Sequence, residues 1–146
     1  MREPILVLNA GSSSVKFSVY ETASDRSLAA GAHGQVEGIG SSPRLEVADA
    51  SGRKLRDERV AGGDHAAAIA AIHDWFSADV GSEAGFDGVG HRVVHGGVAY
   101  SRPVLIDGAV LAALEALVPL APLHQPHNIA AIRAVRAAAP GVRQVA

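Results

Sequence analysis

The sequence predicts an α/β fold in which a mixed β-sheet is flanked by helices and three antiparallel strands come first. Three observations predict it. Short apolar or alternating runs, separated by turn residues, occupy the chain up to Val60. From Asp64 onward, apolar residues at helical spacing take over and alternate with further short apolar runs. The chain has 146 residues, of which 48% are hydrophobic and 19% charged, a size and composition that suit one globular unit with its own core.

Ile5 to Leu8 is a continuous apolar run between Pro4 and Asn9, expected to be a strand buried on both faces. After the break at Gly11-Ser12-Ser13-Ser14, a strict alternation puts Val15, Phe17 and Val19 on one face and Lys16, Ser18 and Tyr20 on the other. A third strand is expected within Leu28 to Val36, although Gly31 and Gly34 interrupt its pattern. Arg44 to Val47 and Lys54 to Val60 flank the turn signal Ser51-Gly52 and read as a hairpin insertion. Asp64 is a candidate N-cap for a helix with the stripe Ile69, Ile72, Phe76 and Val80, ended by Gly81. Asp87 to Val94 reads as a strand closed by Gly96-Gly97. Asp107 caps a helix carrying Val110, Leu114 and Leu117 that stops before Pro119. Pro122 to Gln125 is a link, and Pro126 suits the first turn of a helix carrying Ile129, Ile132 and Val135. Pro140-Gly141 ends that helix, and Val142 to Ala146 opens a further strand. That last element is cut off while still hydrophobic, so the natural chain is expected to continue.

Composition excludes several classes of function. A formal net charge of −2 gives no broad electrostatic reason to bind nucleic acid or a membrane surface. The apolar runs are far shorter than the ~20 residues of a membrane helix. No charged segment followed by an apolar one precedes the first strand, so a cytoplasmic location is expected. There is no cysteine, and with it no disulfide, thiolate metal site or cysteine nucleophile in this chain.

The most informative segment is Asn9-Ala10-Gly11-Ser12-Ser13-Ser14-Val15-Lys16. A Gly-Ser turn between two strands lets backbone N–H groups approach an anion, and Lys16, on the face away from Val15 and Phe17, adds a point charge suited to phosphate oxygens. Asn9 can orient an oxygen ligand or a metal-bound water. The Gly-Lys-Ser/Thr spacing of the strand-loop-helix phosphate loop is absent, and so is G-x-G-x-x-G. A plain hairpin with a serine turn fits the same residues.

In Gly90-His91-Arg92-Val93-Val94-His95-Gly96-Gly97, strand parity puts Arg92 and Val94 on one face and His91 and His95 on the other. An Arg beside a small apolar side chain suits a ligand with one charged end and one short hydrocarbon end, although a structural ion pair would equally use the Arg. His91 and His95 would stand ~13 Å apart on a strand, which does not make a metal pair. Leu120-Ala121-Pro122-Leu123-His124-Gln125-Pro126-His127-Asn128 could rim a pocket, with His124 donating to an anion and Leu123 as an apolar wall, or form a simple surface loop.

Taken together, the segments Leu6 to Lys16, Val89 to Gly97 and Leu120 to His124 closely resemble three ordered signatures of the acetate kinase family. That family lies in the superfamily of acetate and sugar kinases, actin and heat-shock ATPases. The resemblance implies a ribonuclease H-like (actin-like ATPase) sheet, with residues 1–146 as an N-terminal domain truncated at its last strand. It implies reversible phosphoryl transfer between ATP and acetate, with Mg²⁺, giving acetyl phosphate and ADP. By position, Asn9 would help hold the metal and phosphate. Lys16, Ser12 and Ser14 would contact the transferred phosphate or those of ATP. Arg92 would bind the carboxylate of acetate, Val94 and Leu123 would line the methyl pocket, and His124 would sit beside the transferring phosphoryl group.

Members of the family run to more than twice this length. The positions matching their catalytic Asp, second Arg, transition-state His, adenosine pocket and metal-binding Glu lie beyond Ala146, so this chain alone is expected to lack kinase activity. The family implies a homodimer for the full-length protein. Kinases of propionate or butyrate share the hairpin, and a non-catalytic phosphate-binding module is the alternative from another class.

Overall fold

The computed structural model describes residues 3–80 and 85–146. Its elements are β1 (Glu3–Ala10), β2 (Ser14–Thr22), β3 (Leu28–Glu37), β4 (Arg44–Ala48), β5 (Lys54–Arg59), α1 (His65–Asp79), β6 (Gly88–His91), α2 (Gly108–Glu115), a 3-10 turn (Val118–Leu120), α3 (Gln125–Ala138) and β7 (Arg143–Val145). All seven strands join one sheet in the order β5-β4-β3-β2-β1-β6-β7. The first five are mutually antiparallel, whereas β6 pairs parallel to β1 and β7 parallel to β6. This is the mixed sheet that the sequence predicts, and the β4–β5 hairpin extends it to its edge. Among the described residues, no helix is long and apolar enough to cross a membrane.

The alternation along β2 decides which face is covered. Val15, Phe17 and Val19 are buried, together with Leu6, Leu8 and Ala10 of β1, under Ile69, Ile72, Trp75 and Phe76 of α1 and Val135 of α3. Aromatic rings tighten this layer, with centroids 5.7 Å apart for Phe17–Trp75 and 4.1 Å for Phe76–Phe86. A second cluster joins Val110, Leu111 and Leu114 of α2 to Ile129 and Ile132 of α3, with Ile106 beside them. α2 therefore packs on α3 instead of on the far side of the sheet.

That placement corrects the expectation that β1 is buried on both faces. Val7 is 39% exposed and Asn9 is exposed, because α1 and α3 lie on the same side. The caps are as predicted. Asp64 accepts from Ala67 N–H and Asp107 from Val110 N–H, both at 2.8 Å. α1 ends at Asp79, so Val80 is its 50% exposed C-cap and not part of the apolar stripe. The expected stop at Gly81 lies outside the described residues. The predicted link up to Gln125 is shorter by one residue, since Gln125 is already the first residue of α3.

β6 stops at His91, three residues before the predicted end of the strand. Along β6, β7 reaches only Gly88 to Gly90, so the sheet offers β6 no ladder further along on that side. Arg92 N–H still donates to the Leu8 carbonyl at 3.0 Å, but Val94 N–H is taken by a side chain of α3. The parity argument that placed Arg92 with Val94 and His91 with His95 therefore fails.

β2 and β3 shift register between Ser18 and Tyr20, where Val19 faces both Gly31 and Ala32. Gly34 pairs with Phe17, and a Cβ there would stand 2.2 Å from the Glu46 carbonyl oxygen and 2.8 Å from the Phe17 ring. The backbone of β4 cannot retreat without breaking its ladder, so Gly34→Ala is expected to lower stability by at least about 2 kcal/mol. Urea unfolding checks this, and an unchanged midpoint would show that the strands can part.

Candidate active site

The parallel strands β1 and β6 end at the same edge of the sheet, and β2 starts there. Such carboxyl ends, where the chain changes direction across the sheet, are where open α/β sheets bind ligands. Three segments meet at this edge. They are the β1–β2 turn, the loop after β6 and the first turn of α3.

Asn9 and Lys16 are directly opposed across β1 and β2, and both are exposed on the open face. Opposed residues of an antiparallel pair project to the same side, so the amide and the ammonium stand together. In the turn, Gly11 N–H donates to the Ser14 carbonyl at 2.8 Å, and Ile39 N–H donates to the Ser13 carbonyl at 3.0 Å. Among the described residues, the N–H groups of Ser12 and Ser13 meet no acceptor, and both residues are exposed. Gly11 has room for a Cβ, whose nearest neighbour would be 3.7 Å away, so the turn itself does not demand glycine there. What glycine supplies is an uncluttered approach to those donors.

The other two segments are tied to the hairpin by α3. Asn128 Nδ2 donates to the Ala10 carbonyl at 2.9 Å, and Asn128 Oδ1 accepts from Val94 N–H at 3.1 Å. Gln125 Nε2 donates to the carbonyls of His95 at 3.1 Å and Leu114 at 3.0 Å. His95 Nδ1 accepts from Gly97 N–H at 2.8 Å and so shapes the loop. The hairpin and the Arg92–Val94 segment are thereby brought together, and Leu123 and His124 stand on the turn just before Gln125.

The nominated side chains do not share one enclosed cavity among the described residues. Arg92 lines a cleft of about 370 Å³ with Tyr100, Arg102 and Ala146, whereas Lys16 faces a groove on the open sheet with His33, Gln35 and Glu46. Val94 is 50% and Leu123 75% exposed, so neither closes an apolar pocket here.

Sequence reasoning passed over His65, Gln125, Asn128 and Gln144. Gln125, Asn128, Ile129 and Ile132 follow one helical stripe, as do His65, Ile69, Ile72 and Phe76. A polar residue on an apolar stripe was the available signal, since a buried amide or imidazole must find a partner.

His91 is one such group. It is buried, and its Nε2–H donates to Gln144 Oε1 at 2.6 Å. Burial lowers its pKa to about 4, outweighing the opposite pull of the Gln144 hydrogen bond. His127 is lowered too, by burial first and then by the charges of His65 and His124.

The fold and these strand ends define an α/β domain of the actin-like ATPase class. The chain belongs to the Acetokinase family, whose profile matches residues 4–146. It is 46% identical to an acetate kinase of Nitrobacter hamburgensis over 118 residues, which is 77% of this chain and 28% of that protein. It is 42% identical to an acetate kinase of Methylocella silvestris over the whole of this chain and 38% of that protein. The crystal structure of Porphyromonas gingivalis acetate kinase matches 98% of this chain and 36% of its own, with a TM-score of 0.87 at 36% identity. A propionate kinase from Francisella tularensis matches the same shares, with a TM-score of 0.85 at 31% identity. The chain thus spans roughly a third of the length of these relatives.

A buried neutral His gives the protein a specific acid sensitivity. Between about pH 6.5 and pH 4 the unfolded chain binds a proton at His91 that the folded chain refuses, so stability falls as pH falls through that window. From pH 7 to pH 5 the expected loss is about 2 kcal/mol. Denaturant unfolding at the two pH values should show it, and His91→Gln should remove most of it, leaving the smaller part due to His127. An equal loss in the variant would assign the effect elsewhere.

Proposed function

We propose that this chain is the N-terminal, substrate-side part of an acetate kinase, which transfers the γ-phosphoryl group of ATP to acetate and back. The observation that carries this reading is the joining of two anion-binding elements by one buried amide. The hairpin offers the free N–H groups of Ser12 and Ser13 beside Asn9 and Lys16, and Asn128 ties it to the segment carrying Arg92.

In the reaction, a carboxylate oxygen of acetate attacks the γ-phosphorus, a new C–O–P linkage forms, and the bond to the β-phosphate bridging oxygen breaks with its electrons left on ADP. Such a transfer asks the protein for alignment and positive charge more than for covalent chemistry. Arg92 would hold the carboxylate. Lys16, with Ser12 and Ser14, would hold phosphate oxygens, and His124 would donate beside the phosphoryl group in flight. Val94 and Leu123 would flank the methyl group once the remainder of the protein closes over them. Among the described residues, no group of three His, Asp or Glu side chains is arranged to hold a metal. Asn9 fits Mg²⁺ only as a single amide oxygen or through a water, as suits an ion that arrives on ATP phosphates and keeps most of its waters. Mg²⁺ would neutralise phosphate charge there. The catalytic Asp is expected beyond Ala146. The full-length protein is proposed to be a cytoplasmic homodimer.

An assay of acetyl phosphate formation from ATP and acetate tests the proposal. The isolated 146-residue chain is expected to make none. The full-length protein should be active, and its Arg92→Ala variant should show a raised acetate KM and a kcat lower by about 10²-fold or more. Near-wild-type kinetics would remove Arg92 from the site.

A second reading is favoured by the likeness to the Francisella propionate kinase. Exposed Val94 and Leu123 set no limit on acyl length. Comparing kcat/KM for acetate, propionate and butyrate in the full-length protein decides between them, and a margin of tenfold or more for propionate would favour the second reading.

A further inference from the structure

The β1–β2 turn is held by its carbonyl side. Ala10 O is bound by Asn128 Nδ2, Ser13 O by Ile39 N–H, and Gly11 O by the ring of His65, the first residue of α1, at 2.6 Å. A carbonyl can only accept, so the proton of this contact is on His65 Nε2. Because a peptide group is planar and trans, fixing the Gly11 carbonyl fixes the direction of the Ser12 N–H on the opposite side of the same plane. That N–H is one of the two in the turn that meet no acceptor among the described residues. The His65 ring is also held by stacking on His127, with centroids 5.2 Å apart and planes at 17°.

We infer that His65 is a positioning residue, which aims the Ser12 N–H at a bound phosphoryl group by pulling the Gly11 carbonyl the other way. This deepens the reading of the hairpin as a phosphate grip and rests on it. The ring acts through two separable features. Its shape packs against His127, and its N–H orients the turn. A structural role needs the shape, whereas the proposed role needs the N–H.

His65→Phe keeps an aromatic ring for the stack and removes the donor. His65→Gln gives up the stack and restores a donor. The probe is inorganic phosphate, titrated into full-length protein labelled with ¹⁵N-serine, in which the Ser12 and Ser13 amide signals report on the turn itself. In the wild type these signals are expected to shift with phosphate. His65→Phe should weaken that response by about tenfold or more while its melting temperature stays close to the wild-type value. His65→Gln should recover most of the response. In the acetyl phosphate assay, His65→Phe should lower kcat by up to about 100-fold, the scale of a 1 Å misplacement, with a smaller effect on the acetate KM.

A wild-type phosphate response in His65→Phe would overturn the proposal, and so would failure of His65→Gln to recover one. Should His65→Phe not fold, His65→Leu, which keeps apolar bulk and has no donor, takes its place with the same two outcomes. A wild type whose Ser12 and Ser13 signals ignore phosphate would overturn both the grip and the positioning role. A wild type that binds phosphate at these amides yet makes no acyl phosphate would overturn only the proposed reaction.

Discussion

A primary amide buried at the start of a helix is costly unless both its ends are satisfied, and Asn128 is 6% exposed. Its two partners are the last carbonyl of β1 and an N–H in the loop after β6. Those partners lie 118 and 34 residues away along the chain, so no local interaction could bring them into register. Once α3 is packed on the sheet through Val135 and on α2 through Ile129 and Ile132, the position of that amide is set. The hairpin turn and the Arg92 segment then have to come to it. Gln125, one turn earlier and fully buried, holds the far side of the loop through its Nε2 donation to the His95 carbonyl, while its Oε1 is buried without a partner among the described residues.

This arrangement explains why the sheet is mixed. Parallel pairing of β1 and β6 puts their carboxyl ends at one edge, where the helix α3 starts. Antiparallel β2 then returns from that edge carrying Lys16 opposite Asn9. Two of the carboxylates on the β4–β5 hairpin are engaged by their own neighbours. Asp49 is occupied in its own turn, accepting from Ser51 and Arg53, which holds its pKa down to about 2. Asp57 is occupied by Arg44 and Lys54. Among the described residues, neither Lys16 nor Arg92 has an ion-pair partner, so two cations stand unpaired at the strand ends, as the proposed anion site needs.

Much of the frame was legible in the sequence, for physical reasons that can be assigned. The strict alternation of Val15, Phe17 and Val19 named the covered face of β2, and the capping side chains of Asp64 and Asp107 marked helix starts correctly. Periodicity could not say how many faces of β1 are covered, because an apolar Val7 sits on an open face as readily as on a closed one. It also could not see β6 ending at His91, since Val93 and Val94 continue the apolar pattern. What ends the strand is the lack of a β7 partner beyond Gly90 and the claim of Asn128 on the Val94 N–H. For the same reason the residues that tie these segments together were passed over while the exposed candidates were named. Lys16 and Arg92 are conspicuous charges, whereas Asn128 and His65 are polar residues whose partners are backbone groups distant in sequence.

The account's central claim is that the β1–β2 turn and the Arg92 segment form one anion site, held in register by Asn128. A crystal structure of the full-length protein soaked with acetyl phosphate tests it most directly. The account predicts phosphoryl oxygens within hydrogen-bond distance of the Ser12 and Ser13 N–H groups and Lys16, the acyl end against Arg92, and the Asn128 bridge unbroken. Acetyl phosphate bound elsewhere, with the turn N–H groups facing only water, would contradict it.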